Sequence, residues 1–275
     1  MPKRVQSASS INSYKQCPRK YYYVYIEELP TKPSIHTLRG NIVHSVLEDF
    51  YSIDPAGVTK ENCRAFLQEK IINLLVHHWQ QQRNEFAKLN LTPTDLAQFK
   101  EESVVMLLNW LNHFLHRVYA SHDDFEQAFR RFIPQREQFF ESAAYMVRGY
   151  IDAIENIDGK VHIIDYKTSK DAHISDEYRL QMAIYLLLYQ ERHHALPHKA
   201  SFFFLKHKPV EVPVEPALVE LAKREVAAIH ARTSDTDKKE EYPMQPGPLC
   251  RFCDFNGLCF SRQQSLGRFV ADKHA

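Results

Sequence analysis

The amino-acid sequence is that of an α/β protein, an expectation that rests on three observations. Two runs rich in β-branched and aromatic residues, 145–154 and 160–167, flank the tight-turn pair Asp158-Gly159 and read as a β-hairpin. Apolar residues recur at helical spacing through 60–131 and again through 176–192. Two short apolar runs, 201–205 and 210–214, follow, so strands and helices alternate in the C-terminal half.

From the N-terminus, Ser9 or Ser10 suits a helix cap, and Ile11, Tyr14 and Cys17 share a stripe that Pro18 breaks. Arg19 and Lys20 are expected in solvent, and the aromatic block from Tyr21 to Tyr25 in the core. Residues 29–34 read as a loop around Pro30 and Pro33. A helix is expected over 41–51, with Val43, Val46, Leu47 and Phe50 inward and His44 near its start. The stretch 54–131 reads as a helical insertion. One stripe runs through Phe66, Leu67, Ile71, Leu74, Leu75 and Trp79, another through Val104, Leu107, Leu108, Leu111, Phe114, Leu115 and Val118. Pro93 suits the first turn of the second helix. His77, His78, His113 and His116 lie in this block without a cysteine or carboxylate constellation and read as packing or surface residues.

The sheet is expected to begin over 133–141, with Gln135, Glu137 and Phe139 on one face. In the second hairpin strand, Val161, Ile163 and Asp165 share a face, and Asp165 and Lys167 project together from its far end. A helix over 176–192, capped by Ser175 or Asp176, places Gln181 and Tyr185 one turn apart on one face. Pro213 makes the last strand an edge. An amphipathic helix over 216–231 and an exposed charged segment over 234–241 complete the chain up to its cysteine-rich tail.

At 275 residues, 44% hydrophobic and 25% charged, the chain is long enough to bury a large core. No apolar run reaches membrane-spanning length, and the first residues lack the apolar core of a signal peptide. The expected setting is cytoplasmic, with no membrane partner. The net charge of +1 neither supports nor excludes nucleic acid, because a basic groove can coexist with acidic surface elsewhere. Five cysteines in such a protein suggest thiols or metal ligands rather than disulfides.

Two groups of residues carry chemistry. Asp is depleted in strands because its charge is costly to desolvate, yet Asp152 and Asp165 occupy the two arms of the hairpin, with Lys167 beside the latter. Paired carboxylates on rigid backbone suit a hard divalent cation, and a neighbouring ammonium suits charge developing on a phosphate. Taken alone, Asp-x-Lys in a strand is more often an ordinary ion pair on a solvated edge. The second group is Cys250-x₂-Cys253-x₅-Cys259, three soft ligands on one loop. A four-thiolate centre would take its fourth ligand from Cys17, at a helix end beside Pro18, rather than from Cys63 among apolar neighbours. Spacing alone does not separate a zinc site from an iron–sulfur cluster.

In chain order the set is Cys17-Pro-Arg-Lys20, His44, Gly149-Tyr-Ile-Asp152, Ile163-Ile-Asp165-Tyr-Lys167, Gln181-x₃-Tyr185 and the terminal cysteines. It resembles the RecB-like exonuclease branch of the PD-(D/E)XK nuclease superfamily, and within it the iron–sulfur members: the AddB nuclease domain, DNA-repair exonucleases and CRISPR-adaptation nucleases. The resemblance covers nearly the whole chain and is weakest in the helical block. It implies a restriction-endonuclease-like core, a mixed β-sheet flanked by helices, in a single domain over 1–275 with the insertion at 54–131 and a cysteine-rich segment at 242–262. By the same resemblance Asp152 and Asp165 are the metal-binding acids, Lys167 is the catalytic lysine, and His44 completes the metal site. The Tyr166 backbone carbonyl joins them in holding Mg²⁺ or Mn²⁺, and Gln181 and Tyr185 form the accessory Q-x₃-Y motif. Glu137 corresponds to an acidic residue often found upstream of the first catalytic strand. Cys17, Cys250, Cys253 and Cys259 match the ligands of a [4Fe–4S] cluster, with Zn²⁺ as the alternative occupant.

The chain departs from the pattern in Ile151, which replaces the eponymous proline, and in the long separation of His44 from Asp152, which fits an inserted helical block. It carries no G-x₄-G-K-[ST] phosphate loop of a motor. The implied activity is metal-dependent hydrolysis of DNA, as an exonuclease on single strands or DNA ends. The implied setting is repair, recombination or CRISPR adaptation, with a helicase or CRISPR-adaptation proteins as partners. The alternative is a non-cleaving nucleic-acid-binding or scaffold subunit, against which the intact trio of Asp152, Asp165 and Lys167 argues.

Overall fold

A computed structural model describes residues 4–260 of the chain. Residues 1–3 and 261–275, which include positions 261 and 262 of the expected cysteine-rich segment, lie outside the described residues. The chain forms two compact units: a larger one of Pro33–Ser142 and Arg148–Ala222, and a smaller one of 4–32, Ala143–Val147 and 223–260.

In the smaller unit, helix α1 (Ala8–Gln16) is capped by Ser7, two residues ahead of the expected serines. The Ser7 hydroxyl accepts from the Ser10 amide at 3.2 Å and the Ser10 hydroxyl accepts from the Ser7 amide at 2.8 Å, so Ser10 closes a capping box instead of starting the helix. Cys17 is extended and ends α1, and α2 (Pro18–Tyr21) begins on Pro18, whose missing N–H is harmless in a first turn. A wider π-turn over Tyr22–Ile26 follows. Tyr21, Tyr22 and Tyr23 are buried, as their aromatic bulk dictates. Arg19 is not in solvent as expected: it is half-buried, and its Nε donates to the Tyr242 carbonyl at 2.7 Å.

The larger unit opens with α3 (Ile35–Phe50), which starts six residues earlier than its apolar stripe suggests. Ser34 is the cap, its hydroxyl accepting from the His36 amide. The helix continues through Gly40, a residue that costs about 1 kcal/mol inside a helix but is outweighed here by the burial of Ile42, Val43, Val46, Leu47 and Phe50. His44 is therefore in mid-helix, not near its start. The helices α4 (Cys63–Gln81), α5 (Arg83–Phe86), α6 (Pro93–Ala120) and α7 (Phe125–Arg131) follow. Thr92 and Asp95 form the capping box of α6, with Pro93 at its first position. These helices and α3 meet over aromatic rings, Phe50 lying 4.8 Å from Trp110, 5.4 Å from Phe114 and 5.7 Å from Phe129.

Strands β1 (Gln135–Ser142), β2 (Val147–Ile157) and β3 (Lys160–Lys167) precede α8 (Asp176–His193), which Ser175 caps. Then come β4 (Lys199–Phe204), β5 (Pro209–Val212) and α9 (Pro216–Thr233), and the smaller unit ends with α10 (Asn256–Cys259). The strands form a mixed five-stranded sheet in the order β1-β2-β3-β4-β5. β3 is antiparallel to β2 and parallel to β4, and β4 is antiparallel to β5, whose edge position leaves Pro213 just past its end. The parallel step requires the α8 crossover. Ala153, Ile164 and Tyr166 join the helical core of α3, α4, α6 and α7. Asp165 and Lys167, on the opposite face of β3, look toward α8.

The hairpin turn takes φ 53° at Asp158 and φ 78° at Gly159, the paired left-handed residues of a type I′ turn. Space around Gly159 is open, so the backbone conformation alone demands glycine there. Gly159→Ala is expected to lower stability by roughly 1 kcal/mol, read as a shift in the urea midpoint; an unmoved midpoint would contradict this account of the turn.

Candidate active site

Three elements of the larger unit converge at the end of the hairpin. His44 from α3, Asp152 from β2 and Asp165, Tyr166 and Lys167 from β3 line one cavity of about 640 Å³, with Gln181 from α8. Asp152 lies just beyond the last regular β2–β3 pair, Ala153 opposite Ile164. There its carboxylate takes the place of a strand partner, accepting from the Tyr166 amide at 2.7 Å. The neighbouring Tyr166 carbonyl accepts from His44 Nε2 at 3.0 Å. A carbonyl can only accept, so Nε2 carries the proton and Nδ1 offers a lone pair. That lone pair faces Asp152 Oδ2 at 3.4 Å. Two acceptors meet, and only a proton or a cation reconciles them.

Burial lowers the His44 imidazole below its usual range, partly countered by the Asp165 carboxylate, which keeps the ring neutral as a ligand must be. Burial and the Asp165 charge together push the Asp152 carboxyl well above the ordinary carboxylate range. Glu137 of β1 completes the crowd. Among the described residues, His44, Glu137 and Asp152 are the side chains whose ligand atoms all lie within 4.8 Å of one another. The Glu137 backbone takes the left-handed φ of 47°, uncommon for a non-glycine residue and of a kind that costs about 1–3 kcal/mol. Its carboxyl is raised by burial, Glu48 and Asp165.

Asp165 is 1% exposed, and its Oδ2 lies 2.6 Å from Lys167 Nζ without the direction of a hydrogen bond. This buried oxygen is ion-paired with the ammonium beside the crowded acids. Lys167 instead donates to Gln181 Oε1 at 2.7 Å and sits over the rings of Tyr178 and Phe202. Gln181 Nε2 in turn donates to the Tyr185 hydroxyl at 2.7 Å. The Tyr185 phenol is held well above its usual range by burial and by the charges of Asp165 and Asp152. Asp165, Lys167, Gln181 and Tyr185 thus form a chain of contacts in which each group holds the next.

Every residue the sequence assigned to this site is drawn into it, although Asp165 stands outside the tight group of three. Glu137, whose role entered only through the resemblance, lies with His44 and Asp152. Its alternation with Phe139 was legible, but not the backbone kink that turns it inward. Arg39 and Lys206 were missed: both pair with Glu102 on the wall of the same cavity.

An assembly of carboxylates and a neutral imidazole is a donor set for a hard or borderline divalent cation. The opposed acceptors of His44 and Asp152, with the buried carboxylate of Asp165 and that of Glu137 beside them, fit such an ion.

In the smaller unit Cys17, Cys250, Cys253 and Cys259 line a separate cavity of about 320 Å³, whereas Cys63 is buried in the larger unit against the Lys60 carbonyl and Tyr119 hydroxyl. Burial raises the Cys259 thiol, reinforced by Cys17 and Cys253. Among the described residues, no three cysteine sulfurs lie within 4.8 Å of one another.

A hairpin that brings acids from both arms to a half-buried lysine, on a mixed sheet flanked by helices, defines the class. The profile of the PD-(D/E)XK nuclease superfamily matches residues 6–260, and the chain belongs to that superfamily. The Gene 69 protein of Mycobacterium phage D29 is 23% identical over 290 residues, covering 93% of this chain and 96% of that protein. The CRISPR-associated exonuclease Cas4 of Francisella tularensis subsp. novicida is 27% identical over 122 residues, 44% of this chain and 60% of that one. A crystal structure of a candidate exonuclease from Eubacterium rectale shares the fold, with a TM-score of 0.50 at 13% identity, covering 92% of this chain and 88% of that chain.

A carboxyl raised above its unfolded value of 3.8 binds its proton more tightly in the folded state. It therefore costs stability as pH climbs from the unfolded value through the raised one, and the cost is complete above both. In chelator, Asp152→Asn should melt a few degrees above the wild type at pH 7, with the gap closing near about pH 4. Thermal denaturation across this range checks it; a variant less stable than the wild type at pH 7 would contradict the assignment.

Proposed function

We propose that the chain is a divalent-metal-dependent deoxyribonuclease of the RecB-like branch, acting as an exonuclease on single-stranded DNA or DNA ends. The observation that carries this reading is the convergence of His44, Asp152, Asp165 and Lys167 on one open cavity, with the Glu137 carboxylate within 4.8 Å of the ligand atoms of His44 and Asp152. The setting we propose is cytoplasmic; among the described residues no helix is long and apolar enough to cross a membrane. DNA repair or CRISPR adaptation, alongside a helicase or adaptation proteins, is the proposed context. Residues 54–131 are a helical insertion into the nuclease domain in this reading.

Asp152, Asp165, His44 and Glu137 would hold Mg²⁺ or Mn²⁺, while the Tyr166 carbonyl, which accepts from His44 Nε2, would orient the ring rather than ligate the ion. Such an ion supplies Lewis-acid activation of water and neutralises charge on the phosphate. Lys167 provides a donor for a phosphate oxygen or the attacking water, at a place where charge grows during reaction. Gln181 holds the ammonium in position, Tyr185 holds Gln181, and the ring faces of Tyr178 and Phe202 shelter it from water. The His44 ring is oriented by the Tyr166 carbonyl and stays neutral. Asp165→Ala and Lys167→Ala are expected to fold and to lose ~10²-fold or more in cleavage of end-labelled DNA with Mg²⁺ or Mn²⁺, and chelator should abolish wild-type cleavage. Retained cleavage in both variants would remove the catalytic assignment.

For the cysteine cavity we propose a [4Fe–4S] cluster held by Cys17, Cys250, Cys253 and Cys259. The four sulfurs share one cavity, and the Gly247 amide donates to Cys250 Sγ at 3.4 Å, the kind of bond that tunes a cluster thiolate. Anaerobically prepared protein should be brown and contain iron, and Cys253→Ser should lose most of it while Cys63→Ser keeps it. A colourless, zinc-loaded wild type would decide for the other occupant.

A further inference from the structure

Two aromatic side chains beside the candidate metal cavity have no part in the chemistry above. Tyr150 of β2 is 58% exposed and Phe139 of β1 is 41% exposed, although both are large and apolar. Their ring centroids lie 5.0 Å apart, with planes tilted by 48°. Tyr150 lines a cavity of about 490 Å³ together with His44, Glu137 and Asp152. A cross-strand aromatic pair contributes only about 0.2–1 kcal/mol to a sheet, little return for leaving two rings open to water.

Both rings are placed by strands rather than loops. Tyr150 precedes Asp152 by two residues and Phe139 follows Glu137 by two, so each ring sits about 6–7 Å along its strand from a candidate ligand. Gly149 lets β2 press against α8, since a Cβ there would meet the Tyr185 ring at 3.2 Å. The Phe139 carbonyl accepts from Arg192 at 3.2 Å, which pins β1 at the second ring. The rings are therefore held in place before anything binds, and ordering them costs a ligand little.

We infer that Tyr150 and Phe139 form a stacking platform for an unpaired base of single-stranded DNA next to the bond that is cleaved, an inference that rests on the nuclease reading above. Every base has a π-face, so the platform accepts any sequence. A base inside a duplex is already stacked on both faces and has none to offer, so the platform selects single strands. Its effect is on binding and position, and it falls on KM more than on kcat.

The test uses the full-length protein and a fluorescent single-stranded oligonucleotide, with affinity read by anisotropy in chelator and again with Ca²⁺ in place of Mg²⁺. Tyr150→Ala and Phe139→Ala should weaken binding roughly 5- to 100-fold, whereas Tyr150→Phe should bind like the wild type. Moving a single abasic site through the oligonucleotide should reveal one position that weakens the wild type and leaves Tyr150→Ala unaffected. Equal affinity of the wild type and both alanine variants, a Tyr150→Phe variant as weak as Tyr150→Ala, or no wild-type binding in either condition would overturn the platform. If the wild type binds through Tyr150 yet no divalent ion brings cleavage, the nuclease reading fails and the platform stands. If the wild type cleaves and both alanine variants bind and cleave as well as it does, the platform fails alone.

Discussion

His44 Nδ1 and Asp152 Oδ2 face each other across 3.4 Å, each with a lone pair, because the Tyr166 carbonyl already takes the imidazole proton and the Tyr166 amide already occupies the carboxylate. Glu137 and Asp165 add charge of the same sign nearby, and burial raises the Asp152 and Glu137 carboxyls with it. Such a grouping is unfavourable in isolation and becomes favourable around a divalent ion. The rest of the site is arranged about that need.

The scaffold meets it with backbone rather than long side chains. One residue, Tyr166, serves both the histidine and the aspartate through its peptide groups, while its ring is locked in the helical core. On the other face of β3, Asp165 pairs with Lys167, which Gln181 and Tyr185 of α8 hold in turn. The parallel pairing of β3 with β4 requires α8 as the crossover, so the topology of the sheet also delivers the side chains that steady the lysine.

Much of this was legible in the sequence where the signal is local. Asp158-Gly159 announced a tight hairpin turn, and with it the arms that carry Asp152 and Asp165. The i,i+4 spacing of Gln181 and Tyr185 put them on one helical face, where they now hydrogen-bond. What is set by distant neighbours was hidden. Arg39-Gly40 looked like the edge of a helix, yet burial of the following stripe carries α3 back to Ser34. The inward turn of Glu137 depends on a left-handed backbone that no residue type there signals. Arg19 looked like a surface cation because its acceptor, the Tyr242 carbonyl, is more than two hundred positions away.

Isothermal titration of Mn²⁺ into the wild type, His44→Ala and Asp152→Asn tests the central claim most directly. The account expects saturable binding to the wild type that weakens by roughly 10- to 100-fold in each variant, since each loses a ligand to a shared ion. Unchanged affinity in either variant would show that the imidazole and the carboxylate do not meet at one cation.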